Sequence, residues 1–155
     1  MSEITIRRAV HTDIPFLIES NQAMATETED LGLNIQALGK GIAYLMAHAA
    51  EGFYLIAEQN RISIGTLMVT FEWSDWRNGR FWWIQSVFVP ITHRRKGVYN
   101  LMHNAVRQLA LQDPQACGIR LYVEHNNQPA ISTYLKMGMA ETHYRLYEEP
   151  LKRPD

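Results

Sequence analysis

The chain is poor in the features that mark specialised protein classes. It has a single cysteine, Cys117, in 155 residues, so no internal disulfide can form. That thiol reads as a small buried apolar residue, and no local histidine pattern marks it as a nucleophile. An excess of one charge is also missing, since 15 Lys and Arg stand against 16 Asp and Glu, a formal net charge of −1. This balance argues against nucleic-acid or anionic-membrane partners, which normally leave a basic footprint. No apolar run approaches the ~20 residues that span a bilayer. The N-terminal "MSEITIRRAV" lacks an apolar signal core, so a cytoplasmic location is expected. Internal repeats, low-complexity tracts and Pro/Gly-rich linkers are absent as well, and residues 1–155 are expected to form one domain. The histidines, His11, His48, His93, His103, His125 and His143, have no metal-ligand spacing with cysteines or carboxylates. A zinc site is therefore not expected.

What is present is 46% hydrophobic residues, enough for a packed core, in patterns that alternate between two periods. "ITIRRA" (Ile4 to Ala9) alternates like a strand. Thr12 is a helix N-cap before "DIPFLIESNQAMA", with Ile14, Leu17 and Ile18 at helical spacing. "TETEDLGLN" is an acidic break. A second helix is expected over Ile35 to Ala49. "GFYLIAEQN" and "ISIGTLMVTFEW" read as strands around a turn at "QNR". Asn78-Gly79 marks a hairpin before the strand "RFWWIQSVFV". A helix runs from Gly97 to about Leu111 and stops at Asp113-Pro114. "GIRLYVE" is a strand. "NNQPAISTYLKMG" is a short helix with Asn126 or Asn127 as cap and Gly138 just past its end. "MAETHYRLYEE" reads as a last strand. The order β-α-α-β-β-β-α-β-α-β gives an α/β fold with a mixed sheet flanked by helices. Its fourth and fifth strands must run parallel, because a helix crossover joins them.

The segment "VFVPITHRRKGVYNLM" runs from a strand through two arginines, a lysine and a glycine into a helix. The first turn of a helix leaves about four backbone N–H groups unpaired, and its dipole favours negative charge. A phosphate fits there. Gly97 lets a ligand approach the backbone, and Arg94, Arg95 and Lys96 add positive charge. The alternative is a solvated basic loop with no ligand. A P-loop is excluded by the missing second glycine and Lys-Ser/Thr. A dinucleotide fingerprint is excluded because only one glycine is present.

These residues resemble the acetyl-coenzyme A motif of the GNAT superfamily of N-acetyltransferases, Arg/Gln-x-x-Gly-x-Gly/Ala, read here as Arg94-Arg95-Lys96-Gly97-Val98-Tyr99. Tyr99 departs from the usual small residue. "NNQPAISTYLKMGM" resembles the family's later segment, with Asn126 or Asn127, Ala130, Tyr134 and Gly138 in place and Met139 for the usual Phe. The resemblance implies a GNAT-like sheet whose fourth and fifth strands splay apart. It implies that backbone groups of Val87, Phe88 and Val89 meet the pantetheine arm of acetyl-CoA. The N–H groups of Arg95, Lys96, Gly97, Val98, Tyr99 and Asn100 would hold its pyrophosphate, and Asn127 would bond the arm. Tyr134 would protonate the departing thiolate; read without the family, Tyr134 is a core tyrosine packed beside Ile131 and Leu135.

The resemblance further implies direct attack of an amine on the acetyl carbonyl. Relatives often use a strand glutamate as base. Here Gln85 and Tyr122 stand at the matching positions, and neither is a base at neutral pH. Glu124, at the end of the fifth strand, is the nearest carboxylate in sequence. Acceptor contacts are expected from the acidic run, Glu29 first, from Gln85, and from Trp73 and Trp76 of the tryptophan-rich hairpin, because carboxylates beside aromatic faces suit a cationic amine. The tryptophans are alternatively core residues or a homodimer interface. Three functions follow: an acetyl-CoA-dependent N-acetyltransferase acting on a small-molecule or peptide amine, a transferase of a different acyl group, or a non-catalytic acyl-CoA-binding or sensing module.

Overall fold

The computed structural model describes residues 2–153. They form two compact units, one ending at Tyr122 and the other beginning at Val123. In the first unit, strand β1 (Thr5–Arg8) leads into helices α1 (Ile14–Glu29) and α2 (Ile35–Ala47). Strands β2 (Gly52–Gln59), β3 (Ile62–Ser74) and β4 (Gly79–Phe88) follow, then helix α3 (Val98–Gln112) and strand β5 (Ala116–Arg120). The second unit carries helix α4 (Gln128–Lys136). The five strands lie in the order β1-β2-β3-β4-β5. All neighbours are antiparallel except β4 and β5, which the α3 crossover makes parallel. No described helix is long and apolar enough to cross a membrane.

The period-2 pattern of β2 explains both faces of the sheet. Phe53, Leu55 and Ala57 join Leu67, Val69, Trp82 and Ile84 beneath Val98, Met102, Val106 and Ala110 of α3. Tyr54 and Ile56 point the other way, onto Leu17 of α1 and Ile42 and Leu45 of α2. The β2–β3 turn places Asn60 and Arg61 both at positive φ (53° and 62°), the backbone of a two-residue hairpin whose twist matches its strands. Gly65 of β3 lies under the start of α3, where an added Cβ would stand 3.0 Å from Val98 Cγ1 and 3.3 Å from Met102 Cε. The absent side chain lets the helix mouth sit close to the sheet.

Four expectations are corrected. α1 continues through the acidic run to Glu29 instead of stopping near Ala25. The first four residues of the run, Thr26 to Glu29, include no Gly or Pro, Thr28 Oγ1 donates to the Met24 carbonyl (2.7 Å), and the helix ends only where Asp30 turns left-handed (φ 49°). Its N-cap is Asp13 instead of Thr12. There the Asp13 carboxylate accepts from the Val10 N–H at 2.7 Å and binds both terminal nitrogens of Arg7 at 2.8 and 2.9 Å. β5 begins at Ala116 and ends at Arg120, earlier than its apolar run suggests. The segment "MAETHYRLYEE" forms no strand. Its alternation is a local property, whereas a strand requires a ladder partner.

Candidate active site

β4 carries an irregularity that builds the site. From Gln85 to Phe88 the strand advances three residues while its β3 partners, Met68 to Thr66, advance two. The extra residue is a β-bulge, with Ser86 at φ 51°. A bulge exchanges the faces of everything beyond it. Before it, Trp82 and Ile84 face α3; after it, Val87 and Val89 do so. Phe88 pairs with Thr66 and so turns toward the α1 side.

The other edge of β4 is also divided. The ladder to β5 covers Arg80 to Trp83 and stops there. Ile84 to Phe88 therefore have no β5 partner, and among the described residues no other backbone hydrogen bond holds that edge, where an amide-bearing chain could lie the way a peptide adds to a sheet edge. The splay inferred from the family is present in this form.

Beyond β4 the chain turns through Ile91–His93 and reaches the basic loop. Arg95 (φ 61°) and Gly97 (φ 77°) both adopt left-handed backbone. The first intrahelical bond of α3 is from the Leu101 N–H to the Gly97 carbonyl, 3.1 Å. The N–H groups ahead of it are left at the helix mouth, where the dipole favours an anion. A Cβ added to Gly97 meets nothing within 4 Å, so it would project into the open mouth. The residues present fit a pyrophosphate.

The basic side chains divide. Arg94 Nε donates to the Val89 carbonyl (2.8 Å), and its NH2 group donates to Glu27 Oε2 (2.6 Å). Lys96 Nζ donates to the Thr92 carbonyl (2.8 Å). Arg95 is exposed and, among the described residues, makes no side-chain hydrogen bond. The side chain of Val98 is buried in the core, leaving only its backbone for a ligand, and Asn100 is exposed on the first turn. Tyr99, the departure from the family pattern, turns along α3 so that its hydroxyl meets His103 Nδ1 at 2.8 Å. Its ring packs on the core cluster beneath the helix. Burial, and next to it the charge of Arg107, push the His103 pKa down, so the imidazole is neutral there.

On the α1 side of the sheet, Gln85 Nε2 donates to Thr70 Oγ1 at 2.5 Å. Glu29 ends α1, exposed. Trp73 and Trp76 stand at the β3–β4 hairpin, 55% and 88% exposed. Trp73 pairs with Arg80, whereas the strand end that carries the loop pairs at Thr66. The structure thus brings Gln85 to the bulge and leaves the two tryptophans at the opposite end of β4. Trp82 is a core residue, its Nε1 donating to Asp113 Oδ2 at 3.1 Å. Reading the sequence did not find Glu27 as the partner of Arg94, nor the Ser86 bulge; neither has a local signal. Among the described residues no group of three His, Cys, Asp or Glu side chains could hold a metal.

In the second unit, Asn127 caps α4, its Oδ1 accepting from the Ala130 N–H at 3.3 Å, which leaves its amide N–H groups for other partners. The helix ends in a Schellman motif, with the Met139 N–H on the Tyr134 carbonyl and the Gly138 N–H on the Leu135 carbonyl. Burial pushes the Tyr134 phenol above its ordinary pKa, which keeps it protonated at neutral pH. Glu124 Oε2 accepts from the Asn126 N–H at 2.9 Å.

The model of the acetyltransferase (GNAT) family matches residues 18–139. A solved structure of a possible acetyltransferase from Clostridium difficile 630 superposes with TM-score 0.90 at 37% identity, covering 97% of this chain and 99% of that one. A predicted acetyltransferase from Clostridium acetobutylicum, solved with acetyl-CoA, has TM-score 0.77 at 21% identity over 95% of this chain and 96% of its own. The glucosamine-6-phosphate N-acetyltransferase from Arabidopsis thaliana shares the fold, with TM-score 0.71 at 16% identity over 95% and 98%. No curated protein matches the chain. With a family model over most of its length and a relative aligned nearly end to end, the chain belongs to the GNAT acetyltransferase family.

Proposed function

We propose that the whole chain works as one cytoplasmic N-acetyltransferase domain that moves an acetyl group from acetyl-CoA to a primary amine of a small molecule or peptide. The observation that carries this reading is the end of the β4–β5 ladder at Trp83, beside a loop that opens α3 with Arg95 and Gly97 left-handed. When bound, acetyl-CoA supplies the acetyl group as an activated thioester. Backbone groups of Val87, Phe88 and Val89 orient the amide-bearing arm, and the N–H groups from Arg95 to Asn100 hold the pyrophosphate. Asn127 adds a bond from its side-chain amide. Tyr134, kept protonated by burial, donates its proton to the departing thiolate.

Gln85 has no basic lone pair at neutral pH, and its amide donates to Thr70, so it orients the amine instead of deprotonating it. The amine's proton leaves through solvent toward a carboxylate, for which Glu124 is the candidate. Glu29 attracts the cationic form of the acceptor. Trp73 and Trp76, at the hairpin end of β4, are reached only by an extended acceptor such as a peptide.

An acyl-CoA-binding module without turnover is the second reading, favoured by the amide at Gln85. The test is a thiol-release assay with acetyl-CoA and a longer acyl-CoA over a panel of small and peptide amines, with Tyr134→Phe as control. We expect turnover with at least one amine, and a kcat lowered about 100-fold or more in the control, as for loss of a general acid. Tight binding of coenzyme A with no turnover on any amine would defeat the enzyme reading, and faster release from the longer acyl-CoA would reassign the transferred group.

A further inference from the structure

The first residue of the basic loop is committed elsewhere. Arg94 spends its Nε on the Val89 carbonyl, at the end of the free β4 edge, and one terminal nitrogen on Glu27 in the last turn of α1. Its guanidinium carbon also lies 5.8 Å from the ring centre of Phe88, the side chain that the bulge turns toward α1. One planar group with several donors in a fixed fork therefore touches the strand end, the loop and the acceptor-side helix together.

The electrostatics of α1 point the same way. Carboxylates at Glu27 and Glu29 lie at the negative end of a helix dipole, where they are unfavourable. The guanidinium of Arg94 neutralises one of them, 67 residues away in sequence. The pair is partly exposed, with the Arg94 and Glu27 side chains at 38% and 44%, so it adds little to global stability. Its effect is positional: it fixes where the end of α1, and with it Glu29, sits relative to Val89.

We infer that Arg94 is a positioning residue, not a phosphate ligand: through Glu27 it ties the acceptor side of the site to the cofactor edge, so that its loss weakens the acceptor more than the coenzyme. This rests on the acetyltransferase reading above for the acceptor, but not for the coenzyme arm of the test.

The experiment uses the full chain with Glu27→Ala, Arg94→Ala and the double substitution. Coenzyme A binding is read by calorimetry. The KM for the amine that turns over fastest in the panel, and kcat, are read by thiol release. We expect each single variant to raise the amine KM about fivefold, with the coenzyme A Kd within twofold of wild type. The double variant should be no worse than the worse single one, since both remove the same link. A tenfold weaker coenzyme A Kd in Arg94→Ala, with a tighter one in Glu27→Ala, would overturn the inference and make Arg94 a phosphate ligand that Glu27 restrains. Additive effects on the amine KM would overturn it as well. If no amine is turned over by the wild type, the acetyltransferase reading fails, while the calorimetric arm still decides whether Arg94 touches the phosphates.

Discussion

Replacing Gly97 with glutamate tests the anion site at its centre, and two costs can be separated in advance. The first is conformational. Gly97 sits at φ 77° with no atom within 4 Å of an added Cβ, so a side chain there meets no clash but pays the left-handed penalty of an L-residue, about 1–2 kcal/mol. The second is Coulombic. A carboxylate roughly 6 Å from one phosphate charge, at an effective dielectric near 20, costs about 3 kcal/mol before salt screening. Gly97→Ala carries only the first cost. It should lower Tm by roughly 2–6 °C and leave coenzyme A affinity within a few fold of wild type. Gly97→Glu carries both, and its coenzyme A Kd should rise by about 30- to 150-fold by calorimetry, less at high salt. Equal affinity in Gly97→Glu and wild type would refute the assignment of the loop. Equal losses in the Ala and Glu variants would show that strain, not charge, governs binding.

Gly65→Ala should destabilise the protein by about 1–3 kcal/mol in urea unfolding, because the new methyl group presses on Val98 and Met102. Lifting the mouth of α3 should also weaken coenzyme A binding in the same variant. Asp13→Asn should cost about 1–2 kcal/mol at pH 7. Loss of one partner of a buried pair costs about 3 kcal/mol or more, and Arg7, with a side chain 35% exposed, discounts that figure. The pH dependence has a definite sign. The hydrogen bonds from Arg7 hold the Asp13 carboxyl below its ordinary value of 3.8, so its contribution is present above about pH 4 and is lost as pH falls through the lower folded value. Urea midpoints of wild type and Asp13→Asn should therefore converge in acid, and a gap that widens in acid would reverse the assignment.

Much of the fold was legible because it depends on near neighbours. The continuous apolar run Phe53 to Ala57 read as a strand and is one, the "QNR" turn fell where Asn60 and Arg61 take positive φ, and the α3 crossover forced β4 and β5 to be parallel. What the sequence hid depends on distant partners. The strand pattern around Tyr144 and Leu146 is locally sound, yet strand formation needs a ladder that no local pattern specifies. The ion pair of Arg94 was hidden for the same reason, since its partner, Glu27, lies 67 positions away. Tyr99 was the reverse case. Its partner His103 is four residues on, the spacing at which helix side chains meet, and its turn toward the core was open to inference from that spacing.

The bulge at Ser86 also bears on how firmly β4 is held. A regular strand slips by moving two residues along its neighbour, which keeps every side chain on its own face. β4 has no such freedom. Trp82 and Ile84 are fixed under α3 in one reading frame of the strand, and Val87 and Val89 in the other. Sliding in either direction would carry the frame change past one of these pairs and swap buried and exposed side chains on both faces at once. Deleting Ser86 would merge the two frames and should be far more damaging than any single substitution along the same edge. The strand whose edge runs on past its last β5 partner at Trp83 is thus locked along its length by its own sequence.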